Sequence, residues 1–203
     1  MQLKYLKHDL YRYFYPDDEV EKVGLLTKIK IVIFTQAIWA IVVYRLKRWI
    51  YYEFRIPLIR SILKFAIAPL ELFVQTATGI CLEAHNDIGP GLYVGHFGNI
   101  ITYAGDIKIG KFCNISHENT IGIAGRGDRR GVPEIGDFVY IAPGAKIFGK
   151  IKIGNNVAIG ANAVVTKDLP DNAIAVGVPA KIINYNSSKD FIEFNKRKSR
   201  EFL

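Results

Sequence analysis

Cysteine is scarce in this chain. Cys81 and Cys113 are the only two in 203 residues and do not form a CxxC pair, which argues against a disulfide framework and a thiol zinc site. With no signal-like segment at the N-terminus, the expected setting is cytoplasmic. Long apolar runs are missing too. Ile29 to Val43 is almost wholly apolar, but it is 15 residues long and contains Thr35 and Gln36. A helix needs roughly 20 apolar residues to span a bilayer. Eighteen glycines and eight prolines without a G-X-Y period exclude collagen, and the glycines point to many tight corners. The formal charge of +8 comes with no recognisable nucleic-acid-binding module, so no nucleic-acid partner is expected.

Half the residues are apolar, enough to bury a core. Within the N-terminal third, the stretch Lys28 to Lys64 holds eight Lys or Arg and one acid, Glu53. Residues 1–77 read as helices punctuated by Pro16, Pro57 and Pro69. Two readings of this region stay open. It is a helical cap that packs a trimer, or a basic, aromatic surface carrying Trp39, Trp49, Tyr51 and Tyr52 that lies on an anionic membrane. The latter would put the protein peripherally on the inner face of the cell membrane. Residues 185–203 read as a charged tail, partly helical or frayed, with Lys196-Arg197-Lys198 near its end.

The middle of the chain repeats. An aliphatic residue, often followed by Gly, returns every six residues in four triplets: Ile88, Val94, Ile100; Ile109, Ile115, Ile121; Ile135, Ile141, Ile147; Ile153, Ile159, Val165. Intervals between triplets are nine, fourteen and six. A step of six fits neither a 3.6-residue helix nor a two-residue strand alternation, but it fits a short strand plus a corner. Three such steps close a triangular coil, with the aliphatic residue inward and glycine at the corner tolerating positive φ. About four coils stacked at about 4.8 Å make a prism roughly 20 Å tall. The insertions Ile101 to Lys108 and Ile123 to Glu134 should leave from one corner.

The [Ile/Val]-Gly repeats, the segment Ile159 to Asp168 (IGANAVVTKD) and Gly177 to Lys181 (GVPAK) resemble the hexapeptide-repeat acyltransferases. Ile88 to Gly98 and Gly127 to Pro133 resemble their serine acetyltransferase branch and its polysaccharide-modifying relatives. The resemblance implies a mainly β fold, a left-handed parallel β-helix over residues 78–184 behind the helical region. It also implies acetyl-CoA as co-substrate, no required metal, and a homotrimer with the cofactor groove between subunits.

An O-acetyl transfer needs a base for the attacking hydroxyl, and an imidazole suits neutral pH. His96 occupies the family's base position. His117, 21 residues later, is the second catalytic candidate, one coil and three positions on. The resemblance carries CoA contact onto Ala142, Ala161, Thr166, Lys167 and Lys181. Substrate contact falls to Gly95 and to Arg126, Asp128, Arg129 and Arg130, whose guanidinium forks suit carboxylates and phosphates. Three departures stand out: the Asp that pairs with the family's His is Cys81 here, the Asp before that His is Gly95, and the loop His is Arg130. The orienter of His96 is left among Glu83, His85, Glu118 and a backbone carbonyl. With the serine pocket altered, the first expectation for the acceptor is a sugar hydroxyl, free or lipid-linked, in polysaccharide biosynthesis. The alternatives are serine O-acetylation feeding cysteine synthesis and a non-catalytic scaffold.

Overall fold

The computed structural model describes residues 1–17, 22–103, 105–127, 130–192 and 194. Four helices come first: α1 (Gln2–Phe14), α2 (Leu25–Phe34), α3 (Gln36–Arg48), which runs into a π-turn at Trp49–Glu53, and α4 (Pro57–Thr78). Pro57 opens α4 at a position where a missing N–H costs nothing, and left-handed Gly79 ends it at φ 66°. Pro69 does not break the element as its sequence position suggested; it lies within α4. Helix α3 supplies the buried part of this layer through Ala37, Ile38, Ile41 and Tyr44, whereas α2 buries no residue. No single described helix is long and apolar enough to cross a membrane, and α2 and α3 with its π-turn pass such a test only as a pair bent by 86°.

Three sheets make the faces of a left-handed parallel β-helix. The first stacks β1 (Ile80–Cys81), β4 (Ile100–Thr102), β7 (Thr120–Gly122), β10 (Lys146–Phe148) and β13 (Val164–Val165). The second stacks β2 (Asp87–Ile88), β5 (Lys108–Ile109), β8 (Glu134–Ile135) and β11 (Lys152–Ile153). The third stacks β3 (Tyr93–Val94), β6 (Asn114–Ile115), β9 (Tyr140–Ile141), β12 (Ala158–Ile159) and β14 (Ile174–Val176), and closes on antiparallel β15 (Lys181–Asn184). All twelve repeat positions are buried and line one core. Both long connections leave the first face, after β4 and β7.

Two expectations need correcting. Ile100 is not the coil-to-coil partner of Ile121; Thr102 pairs with Ile121, while Ile100 pairs with Ile80. Strand side chains alternate with period two, so Ile100 and Thr102 both point inward and the register slips by two without changing face. The buried Thr102 hydroxyl is satisfied, accepting from Glu83 N at 3.1 Å and Asn86 Nδ2 at 2.7 Å. The second correction concerns glycine. Gly89, Gly110, Gly136 and Gly154 have no positive φ; the left-handed corners fall instead on residues such as Phe112, Phe138 and Asn156. Those glycines are required by close stacking: a Cβ on Gly89 would lie 2.8 Å from Gly110 C, and one on Gly136 2.8 Å from Gly154 C.

Gly110→Ala tests this. Its Cβ would meet Asp137 Oδ1 and stand 2.5 Å from Gly136 C, with backbone unable to give way. Overpacking of this kind costs about 1–3 kcal/mol. Chemical denaturation should show that loss for Gly110→Ala and almost none for Gly95→Ala, where the nearest atom is 3.5 Å away.

Side chains from the helices dress the first coil. Arg45 donates to Ile88 O and Gly89 O at 2.6 Å each, and its Nε lies 2.7 Å from Asp9 Oδ2. Tyr44 Oη donates to Asn86 O at 2.8 Å, and Tyr13 Oη to Val94 O at 3.0 Å. At the other end of the sequence, the expected fraying does not hold for residues 185–192 and 194. Ser188 Oγ donates to Phe138 O at 2.5 Å, and Phe194 stacks on Phe112 with ring centroids 5.0 Å apart. Aromatic burial of this kind outweighs the polar composition that suggested a loose tail. Lys196-Arg197-Lys198 lies outside the described residues.

Candidate active site

The third face decides which corner residues meet. Val94 pairs with Ile115, Ile115 with Ile141, and Ile141 with Ile159. Two residues further along each strand lie His96, His117, Pro143 and Ala161, one per coil, on the edge where the chain turns toward the first face. The 21-residue spacing thus makes His117 the stacked counterpart of His96. Their ring centroids are 5.7 Å apart, edge to face at 74°. His96 is held at φ 154°, a conformation few non-glycine residues adopt, between Gly95 and Gly98. His117 Nδ1 is buried and has no hydrogen-bond partner among the described residues.

A cavity of about 440 Å³ opens along this edge, lined by both imidazoles, Ser116, Pro143, Arg12 and Asp190 among others. Arg12 reaches it from α1. Its guanidinium donates to Gly91 O at 3.0 Å and Asn114 Oδ1 at 2.7 Å and lies over the Phe194 ring at 4.7 Å. Burial brings its pKa down to about 10, which leaves it cationic at neutral pH. Asp190 supplies the opposite charge on the same cavity.

None of the side chains considered as orienters lines this cavity. Glu83 accepts from Cys81 Sγ at 3.3 Å, His85 Nδ1 meets Tyr52 Oη at 3.0 Å, and the Glu118 carbonyl accepts from Lys146. Burial, reinforced by Glu83, pushes the Cys81 thiol up to about 11, so it cannot act as an anion near neutral pH. Its neutral state should make alkylation by iodoacetamide slow at pH 7 and fast only as the pH approaches 11; rapid labelling at neutral pH would contradict this environment.

The expected cofactor residues divide. Ala161 shares the edge of His96, and Ala142 is buried beside Pro143. Thr166 and Lys167 are exposed just beyond β13, while Lys181 is exposed at the start of β15. Arg126 and Arg130 sit in the connection after β7, at a different edge of the prism, and line no described cavity at His96. Asp128 and Arg129 lie outside the described residues. Sequence reasoning missed Arg12, Ser116 and Asp190. Ser116 was recoverable, one coil on from Gly95; Arg12 and Asp190 reach the cavity from flanking segments and carried no local signal.

Comparison with known proteins agrees with this fold. Residues 133–167 match the family described as bacterial transferase hexapeptide (six repeats). A serine acetyltransferase of Helicobacter pylori (strain J99) is 37% identical over 119 residues, covering 59% of this chain and 69% of that protein. The serine acetyltransferase of Synechococcus elongatus is 30% identical over 144 residues, 71% of this chain; the chain spans only 55% of that relative's length. A solved serine acetyltransferase in complex with CoA superposes with a TM-score of 0.70 at 25% identity, covering 90% of this chain and 69% of that one. The repeat, the stacked corner and these relatives together place the chain in the serine acetyltransferase branch of the hexapeptide-repeat acyltransferases.

Proposed function

We propose that the protein is an acetyl-CoA-dependent O-acetyltransferase of the serine acetyltransferase type. The observation that carries this is the column His96, His117, Pro143 and Ala161 along one open edge. The pantetheine arm would run along that edge past Ala161, bringing the thioester to His96. His96 takes the proton from the acceptor hydroxyl, whose oxygen attacks the thioester carbonyl; the C–S bond breaks and the proton passes to the departing sulfur. His117, with its open Nδ1, is the nearest polar ring to position His96 or the hydroxyl.

For the acceptor, the relatives' names favour the serine alternative over the sugar reading that the altered pocket first suggested. The cavity supports this with Arg12 and Asp190, a charge pair complementary to a free amino acid. A sugar hydroxyl remains the second reading, favoured by Gly95 and Arg130 where the family's serine-binding pattern has other residues. Thiol release from acetyl-CoA with L-serine, nucleotide sugars and oligosaccharides separates the two. Release with L-serine supports the first; release only with a saccharide refutes it. Gly95→Asp sharpens the test. A Cβ there has room, and the restored carboxylate should raise kcat/KM for L-serine several-fold while leaving any saccharide rate no higher.

The reading also implies a homotrimer, and contact with an anionic membrane is proposed with it. Leu25, Leu26 and Ile33 on α2 are exposed beside Lys28 and Lys30. Exposed apolar side chains flanked by cations suit an anionic lipid surface. The protein should cosediment with vesicles containing phosphatidylglycerol and be released by high salt. Failure to sediment at low salt would leave these side chains to subunit packing.

A further inference from the structure

His96 is the wall between two cavities. The first, along the His117 edge, lies on the side where the CoA arm is proposed to run. The second, of about 450 Å³, lies toward the helices and is bounded by Ile31 and Phe34 of α2, Ala37 of α3, and Val94 and Phe97. Apart from His96 itself, the ionisable side chains on its wall are Tyr13 and Tyr93, and no carboxylate, lysine or arginine lines it; the Tyr13 hydroxyl is engaged with the Val94 backbone in both directions at 3.0 Å. Its other polar lining groups are Thr35 and Gln36. A zwitterionic amino acid finds no carboxylate, lysine or arginine there, whereas a hydrocarbon chain finds Ile31, Phe34, Ala37, Val94 and Phe97. The volume falls within the range of small-molecule sites, about 300–1,000 Å³.

The direction of the column gives this cavity a role. A pantetheine arm rising past Ala161 and Pro143 brings its sulfur to His96 from the side of the later coils. The acyl carbon is bonded to that sulfur, so the rest of the acyl group continues away from the arm, beyond His96 and toward α2. An acetyl group ends at the threshold. A longer chain would enter the space between Phe34 and Phe97, leaving the acceptor to approach from the charged side beside Arg12 and Asp190.

We infer that the cavity bounded by Ile31, Phe34 and Phe97 is an acyl-chain subsite, and that the protein uses medium-chain acyl-CoA thioesters as donors in addition to acetyl-CoA. The inference rests on the acyltransferase reading above. The balance of the step is the same for any chain length: the acceptor oxygen–carbonyl bond forms, the carbon–sulfur bond breaks, and the hydroxyl proton leaves through His96 to CoA sulfur.

Binding separates this inference from the identity of the acceptor. Titration calorimetry of the full chain with CoA, acetyl-CoA and octanoyl-CoA should give octanoyl-CoA an affinity at least tenfold above acetyl-CoA, since six more methylenes enter an apolar site. Phe34→Asp should bring that ratio close to one while leaving the Kd for CoA within twofold; α2 has no buried residue, so this change does not threaten the fold. Phe97→Ser, on the opposite wall, should act in the same direction. Equal affinities for the two thioesters, or an octanoyl preference that ignores both substitutions, would overturn the subsite. If CoA itself does not bind, the acyltransferase reading fails and the subsite falls with it, an outcome distinct from binding without chain-length preference.

Discussion

His96→Ala should lower turnover in thiol-release assays by about 100-fold or more, the scale expected when a general base is removed. The Kd for CoA should stay near that of the unaltered protein, because His96 lies at the thioester end of the proposed path. Near-normal turnover would take His96 out of the mechanism. His117 gives a graded companion. Replacing it with Asn, which keeps a hydrogen-bonding group near Nδ1, should preserve more activity than replacing it with Ala if its role is to position His96. Equal losses for the two variants would argue against positioning through that atom. The result matters because the family's usual carboxylate partner is absent: Cys81 occupies its place, and that thiol is held neutral.

Arg45→Ala should destabilise the protein by about 3–5 kcal/mol, the cost of leaving one member of a buried ion pair unpaired. Arg45 and Asp9 are both fully buried, and the guanidinium also donates to Gln2 Oε1 at 2.9 Å and to two carbonyls of the first coil. The substitution strands the Asp9 carboxylate and both carbonyls together. For a domain of this size each kcal/mol lowers Tm by about 2–4 °C, so a fall near 10 °C is expected at fixed protein concentration. The double variant Asp9→Ala with Arg45→Ala should lose less than the sum of the two single losses, because it leaves no buried charge behind. Strict additivity would show that the two groups act separately.

Much of the core was legible because a six-residue step has few physical solutions. The twelve aliphatic positions predicted to face inward are the ones the prism buries, and the 21-residue spacing of His96 and His117 reflects one coil lengthened by the connection after β4. What escaped was information that the repeat does not carry. The two-residue slip that puts Thr102 over Ile121 preserves inward facing, so a hydrophobic pattern cannot reveal it. The glycines after Ile88, Ile109, Ile135 and Ile153 look like turn glycines in one dimension and become stacking glycines only when neighbouring coils are present. Arg12 is 102 residues from Asn114, to which it donates, and Asp190 follows a stretch whose polarity suggested solvent; neither declares its place in the cavity. The composition of α2 was legible as basic and greasy, but the cavity it forms with the His96 corner depends on how α2 and α3 meet the first coil.

A stack of parallel coils has two terminal rows of backbone donors and acceptors, each a template on which another chain can grow. Here both rows are partly covered. At the start, Tyr13, Tyr44, Arg45 and Arg48 donate to first-coil carbonyls at Val94, Asn86 and Ile88, Arg48 reaching Asn86 O at 2.7 Å. At the finish, β15 runs antiparallel to β14, so the third face ends in a strand of the wrong polarity for another coil. The hydrogen bonds that anchor the helices therefore also work as a stop against fibre formation. Loss of the helical layer would expose an elongation-competent end even if every coil kept its shape.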